Sequence, residues 1–207
     1  HVDKLAENQI IDILKDYDKN IPILTEESGL VQGRTEKTYW IVDALDGTVN
    51  YVNHIPFYAV SIALFDKNKI TVGVIFNPHS NELYYGSDGL GVFKNQKPLK
   101  IMDRIPEECL FSMAFSGKNY EATKRVDEFL LFGKINDSSR GCLRTGSAAM
   151  NLAYLAEGKF GGCLGKANKI WDVAAGLLLA KLAGSNVQFK EVDKEKNLEY
   201  NASIVVC

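Results

Sequence analysis

Trp40-Ile41-Val42-Asp43-Ala44-Leu45-Asp46-Gly47-Thr48-Val49-Asn50-Tyr51 runs from an apolar segment into two carboxylates and a Gly-Thr pair. A strand that ends this way delivers metal ligands to its own end, because the apolar run holds the backbone while Asp43 and Asp46 leave the strand. Gly47 then lets main-chain amides approach a bound anion with no Cβ in the way. That arrangement suits phosphoryl chemistry.

On the N-terminal side, Pro22-Ile23-Leu24-Thr25 is a second short apolar segment, ending at Glu26-Glu27-Ser28-Gly29. Two strands thus end at acids, and the acids face the same end. Further upstream, Val2, Leu5, Ile10, Ile13 and Leu14 fall near helical spacing, which predicts an amphipathic helix over residues 2–16 with Asp3 in its first turn. On the C-terminal side, residues 58–65 and 70–76 are rich in Val, Ile, Ala and Phe, with Asp66-Lys67-Asn68 as turn chemistry between them. Residues 82–86 and 91–94 continue an antiparallel meander. A second lobe starts near Leu110, with a strand over 111–115 and a helix over 119–132. Two further helices follow, over 147–157 and 172–183, closed by Gly158 and Gly184. Gly89-Leu90-Gly91 and Gly158-Lys159-Phe160-Gly161-Gly162-Cys163 lack the strand-loop-helix fingerprint of dinucleotide binding and read as turns. The chain divides into a metal-binding lobe, residues 1–109, and an α/β lobe, residues 110–207, with no linker or repeat between them. A tightly joined, layered α+β unit is expected.

Within the 207 residues, 24 Lys and Arg stand against 26 Asp and Glu, so there is no electrostatic footprint for nucleic acid or an anionic membrane. A small-molecule partner is expected instead. Cys109, Cys142, Cys163 and Cys207 are scattered without a C-x-x-C pair, which reads as buried reduced thiols and a cytoplasmic setting. No apolar run approaches the roughly 18 residues of a membrane span, and the first residues are unlike a secretory signal. Position 1 is His, and the chain is already organised as helix at Asp3, so residues upstream of His1 are expected.

Glu26, Asp43, Asp46 and Asp172, the last in Trp171-Asp172-Val173-Ala174-Ala175-Gly176, are four acids that the predicted elements can bring together. Carboxylates about 5 Å apart repel by roughly 3 kcal/mol per pair at an effective dielectric near 20, so such a cluster protonates or recruits hard cations. Oxygen-only ligands select Mg²⁺, Mn²⁺ or Ca²⁺ over zinc. Taken singly, Asp172 is also a helix N-cap, Glu26 a solvated turn residue, and Asp43 and Asp46 ordinary turn residues. Three helix starts, at Thr48, Ser147 and Asp172, add free backbone N–H groups that would bind a phosphate if they point to one spot. Ser147 after Gly146 is also a plain serine cap. His54 and His79 are isolated beside Asn or Pro in loops and are not read as ligands.

Glu26-Glu27-Ser28-Gly29, Asp43-Ala44-Leu45-Asp46-Gly47-Thr48-Val49-Asn50-Tyr51, Gly146-Ser147-Ala148-Ala149 and Trp171-Asp172-Val173-Ala174-Ala175-Gly176 together resemble, in order and spacing, the motifs of the inositol monophosphatase family of Mg²⁺-dependent, lithium-sensitive sugar phosphatases. The resemblance runs from Asp3, with Glu7 as its partner acid, to the C-terminus. It implies an αβαβα sugar-phosphatase fold whose leading helices are partly absent here, and a homodimer. It implies that Glu26, Asp43 and the Leu45 carbonyl hold one Mg²⁺, that Asp43, Asp46 and Asp172 hold a second, and that Asp3 supports a third through water. Mn²⁺ is a substitute, and Ca²⁺ and Li⁺ are inhibitory by the same resemblance. Thr48, with Glu26, would orient the attacking water, and the Gly47 and Thr48 amides would hold the phosphate. Asp46, Gly146, Ser147, Ala148, Gly165 and Ser116 would line the substrate side. Two departures stand out: the acid that grips inositol hydroxyls, seven residues before Asp172, is Gly165 here, followed by Lys166, and Ala44 replaces a frequent Pro. Adenosine 3′,5′-bisphosphate or fructose 1,6-bisphosphate hydrolysis is the alternative activity, and a catalytically silent metal- or metabolite-binding regulator the alternative class.

Overall fold

The spine of the first sheet is β3 (Thr38–Asp46), whose apolar residues alternate between two covered faces. The computed structural model describes residues 2–32, 37–115, 122–191 and 197–204. β1 (Ile23–Thr25) lies parallel to β3 with Thr25 opposite Val42, so the residue after each, Glu26 and Asp43, emerges at the same end. β2 (Gly29–Val31) folds back on β1 after a turn at Gly29, whose φ is +68°. On the other side β4 (Ala59–Asp66), β5 (Lys69–Asn77), β6 (Glu82–Ser87), β7 (Gly91–Lys94) and β8 (Lys97–Pro98) form the expected antiparallel meander. The eight strands run β2-β1-β3-β4-β5-β6-β7-β8.

β3 departs from expectation in one respect. The strand continues through both acids, and the pairing with β4 shifts between Asp43, opposite Ser61, and Asp46, opposite Ala59. Three steps along β3 thus oppose two along β4, which is a bulge, and it redirects the strand next to the acids.

α1 (Val2–Tyr17) lays Ile11 on Ile23 and Val42, on one face of this sheet. α2 (Thr48–Val52) is a single short turn after β3. The opposite face, through Ile41, Ala63 and Ile75, packs on α4 (Ala148–Ala156) and α5 (Ile170–Ala183). The other sides of α4 and α5 meet Phe160 and Cys163 of a second sheet. Both helices are therefore apolar nearly all round, as a layer between two sheets must be. The second sheet comprises β9 (Leu110–Ala114), β10 (Gly141–Leu143), β11 (Phe160–Lys169), β12 (Ser185–Glu191) and β13 (Asn197–Ile204), ordered β10-β9-β11-β13-β12. α3 (Ala122–Asp137) packs near β9 and β10, with the Phe115 ring against Phe129 and Phe132. The layered α+β architecture is the expected one.

Three readings of the sequence are corrected. Residues 160–163 are the start of β11 and not a turn. The glycine there serves packing: a Cβ at Gly161 would sit 2.3 Å from the Cβ of Cys109. α5 starts at Ile170, so Asp172 is its third residue and not its cap. α3 runs to Asp137, five residues past the expected end at 132. Strands β2, β8 and β10, of two or three residues each, are too short for alternation to mark them, and the sequence reading also leaves out the β12–β13 pair. Cys109, Cys142 and Cys163 are buried free thiols, while Cys207 lies outside the described residues. No helix among the described residues is long and apolar enough to cross a membrane.

Candidate active site

Parallel pairing of β1 and β3 brings Glu26 beside Asp43, the bulge carries Asp46 onward, and the first turn of α5 brings in Asp172. Asp43 is 1% exposed and accepts from the Leu45 amide at 2.9 Å. Burial holds its carboxyl well above the usual carboxylate range, reinforced by Asp46, Glu26 and Asp172. Burial likewise raises Asp46 to about 6, against hydrogen bonds from Ser147 and the Ala149 and Ala148 amides that pull it down. Asp172 is pushed to about 8, by burial first and then by Asp46, with Glu26 adding to it. Glu26, at the exposed edge, is raised by partial burial, then by Glu27, Asp46 and Asp3, while its interaction with Asp43 pulls it the other way. Four acids from three distant stretches therefore sense one another. Lys169 pulls Asp172 the other way without offsetting the cluster.

Each acid is also tied locally. Asp46 Oδ2 accepts from the Ser147 hydroxyl and from the Ala149 amide at 2.8 Å. Asp172 Oδ2 accepts from the Lys169 amide at 2.9 Å. The starts of α4 and α5 are thus taken by carboxylates of the cluster, which satisfy the free N–H groups there. The expected set of three open helix starts reduces to the Gly47-Thr48 turn. As placed, no three His, Cys, Asp or Glu side chains among the described residues stand ready to enclose a metal ion. The chemistry of the donor set nevertheless fits a hard divalent cation: oxygen ligands only, Asp43 and Asp46 buried and Asp172 half-buried, with too little positive charge nearby and raised pKa values as the result.

Thr48 Oγ1 donates to the Leu45 carbonyl at 3.1 Å and lies 3.5 Å from Asp3 Oδ2, so α1 reaches the site. Gly47 has φ +94°, and a Cβ there would press on the Phe57 carbonyl at 3.1 Å. Gly146 has φ +89°, and Ser147 caps α4 by accepting from Met150 N at 3.2 Å. Ala148 is the first residue of α4 and is buried. Gly165 is buried in β11 opposite Ala114. Ser116 lies outside the described residues. His54 and His79 sit in exposed turns.

Glu7 and Asn50 matter more than their motifs suggested. Glu7 is fully buried, and its carboxylate accepts from Glu27 N at 3.0 Å and from Ser28 Oγ at 2.6 Å, pinning the turn that carries Glu26. Its spacing of four from Asp3 on one helix face was the available signal. Asn50, in a five-residue helix, offered none beyond its motif.

A profile of the inositol monophosphatase family matches residues 1–201. An inositol-1-monophosphatase of Mesorhizobium japonicum is 36% identical over 204 residues, covering 98% of this chain and 75% of its own length. The Nus factor SuhB of Escherichia coli K12 is 36% identical over 190 residues, covering 90% of this chain and 70% of its own. The solved structure of an inositol monophosphatase from Anabaena (Nostoc) sp. PCC 7120 superposes with a TM-score of 0.88 at 30% identity, covering 98% of this chain and 81% of that one.

Proposed function

The chain belongs to the inositol monophosphatase family, and from that premise we propose that it is a Mg²⁺-dependent phosphomonoesterase acting on a small phosphorylated metabolite. The observation that carries this reading is the four-acid cluster beside the Gly47-Thr48 turn. Glu26, Asp43 and the Leu45 carbonyl would hold one cation, and Asp43, Asp46 and Asp172 a second, with Asp3 supporting a further site. Bound there, such cations supply Lewis acidity and neutralise charge that builds on the phosphate and the leaving oxygen.

The chain's own groups do the rest. Thr48 commits its hydroxyl proton to the Leu45 carbonyl, so its lone pairs are left to accept a hydrogen from the attacking water. Glu26 accepts the other hydrogen, which fixes the water for in-line attack on phosphorus. The Gly47 and Thr48 amides hold the phosphate oxygens, and no covalent phosphoenzyme is needed. Gly165, where the inositol branch carries an acid, opens the substrate side, and Lys166 beside it suits a second phosphate, which keeps nucleotide or sugar bisphosphates as the runner-up substrates. A cytoplasmic homodimer that lithium inhibits completes the reading by family likeness.

Relatives named Nus factor SuhB favour a second reading, in which this fold serves such a role without hydrolysis. Phosphate release with Mg²⁺ from inositol 1-phosphate, adenosine 3′,5′-bisphosphate and fructose 1,6-bisphosphate separates the two. Turnover of at least one ester is expected, and Asp43→Asn is expected to lower it by more than about a hundredfold, since a neutral amide cannot bridge two cations. No release from any ester overturns the enzyme reading in favour of the second, and near-wild-type turnover by Asp43→Asn overturns the bridging role.

A further inference from the structure

Both amide hydrogens of Asn50 are spent on main-chain carbonyls from separate parts of the chain. Asn50 Nδ2 donates to the Phe57 carbonyl at 2.7 Å and to the Thr145 carbonyl at 2.8 Å, and the residue is 6% exposed. Its amide lies directly under Gly146: a Cβ there would come 2.9 Å from Asn50 Oδ1 and 3.0 Å from Nδ2. The same three segments meet again at Gly47, where a Cβ would find the Phe57 carbonyl at 3.1 Å and the Ser147 Cβ at 3.3 Å. Just past this knot, Ser147 Oγ and Ala149 N grip Asp46 Oδ2.

We propose that Asn50 is a positioning residue for the cation site: by tying the Thr145-Gly146 turn to α2 it seats the start of α4 on Asp46 and so sets the direction of that carboxylate. Nothing else on α2 can do this, because two carbonyls facing one buried point need a side chain with two donors and little bulk. The inference rests on the cation reading above. Support of this kind for a ligand is worth about ten- to a hundredfold in metal affinity.

The test uses Mn²⁺ binding by calorimetry and electron paramagnetic resonance on three variants: Asn50→Leu, which keeps the shape and loses the donors, Ser147→Ala, which loses the hydroxyl on Asp46, and the double variant. Mn²⁺ affinity is expected to fall at least about tenfold in Asn50→Leu, and the double variant is expected to be no weaker than the weaker single one, because both act through one grip. Affinity within about twofold of wild type, or losses that simply add, overturns the proposal, even where the melting temperature falls. Gly146→Ala presses on the same knot without removing a donor; should Asn50→Leu not fold, its Mn²⁺ affinity decides by the same criterion. Wild-type protein that binds Mn²⁺ but hydrolyses no ester overturns the phosphatase reading alone; wild-type protein that binds no Mn²⁺ overturns both.

Discussion

Asp46 and Asp172 show most plainly what burial does to a carboxylate without a counter-ion. An unfolded Asp titrates near 3.9, whereas burial takes Asp46 to about 6 and Asp172 to about 8. The folded protein therefore keeps protons that the unfolded chain releases. These groups contribute stability that is fully present below about pH 4 and is lost as pH rises through 6 and then 8. In chelator the melting temperature should fall between pH 5 and pH 8, and added Mg²⁺ should raise it far more at pH 8, where the acids are ionised. A melting temperature in chelator that stays flat over that range would count against the buried, uncompensated cluster. At this scale the motif residues were legible one by one, because Asp43, Asp46, Gly47 and Thr48 fall within six consecutive positions. The grip of Ser147 on Asp46 was not, since 101 positions separate the two residues.

Glycines set the spacing between elements. A Cβ on Gly176 of α5 would lie 2.5 Å from the Cβ of Leu152 on α4, and one on Gly73 of β5 would meet the Ala175 carbonyl at 2.9 Å. The α4–α5 layer thus sits close to both its partner helix and the first sheet. Gly176→Ala is expected to destabilise the protein by about 1–3 kcal/mol in urea titration, with the slope unchanged, since overpacking forces backbone shifts. An unchanged midpoint would mean that the two helices separate freely. Helices with strong periodicity and strands with turn signals at both ends were readable, as in α1 and the β4–β5 hairpin. Residues 160–163 misled for a physical reason: glycine marks turns and close backbone approach alike, and only the position of Cys109 distinguishes them.

Across the molecule, one apolar cluster joins Ile41, Ala63, Ile75 and Tyr84 of the first sheet to Met150, Ala153 and Leu179 of the helical layer, so a core spans the 109/110 boundary. A polar staple repeats the link: the Tyr84 hydroxyl donates to Glu157 Oε2, Lys94 Nζ lies 2.7 Å from Glu157 Oε1, and Lys159 Nζ lies 3.0 Å from Glu157 Oε2. We infer that the two lobes unfold together. Trp40 and Trp171 lie one in each lobe, so the Trp40→Phe and Trp171→Phe variants should report coincident urea transitions by fluorescence. Two separated transitions would establish independent lobes. The order of acids, glycines and apolar runs along the chain by itself determined the family and the meander, because those rest on local periodicity and on motifs whose members stand close in sequence. Tertiary structure alone decided that β3 bulges between its acids, that carboxylates of the cluster accept from backbone amides at the starts of two helices, and that Asn50 joins turns 95 residues apart. Such features depend on which distant segments share a space once the apolar faces are buried, and no local pattern encodes that.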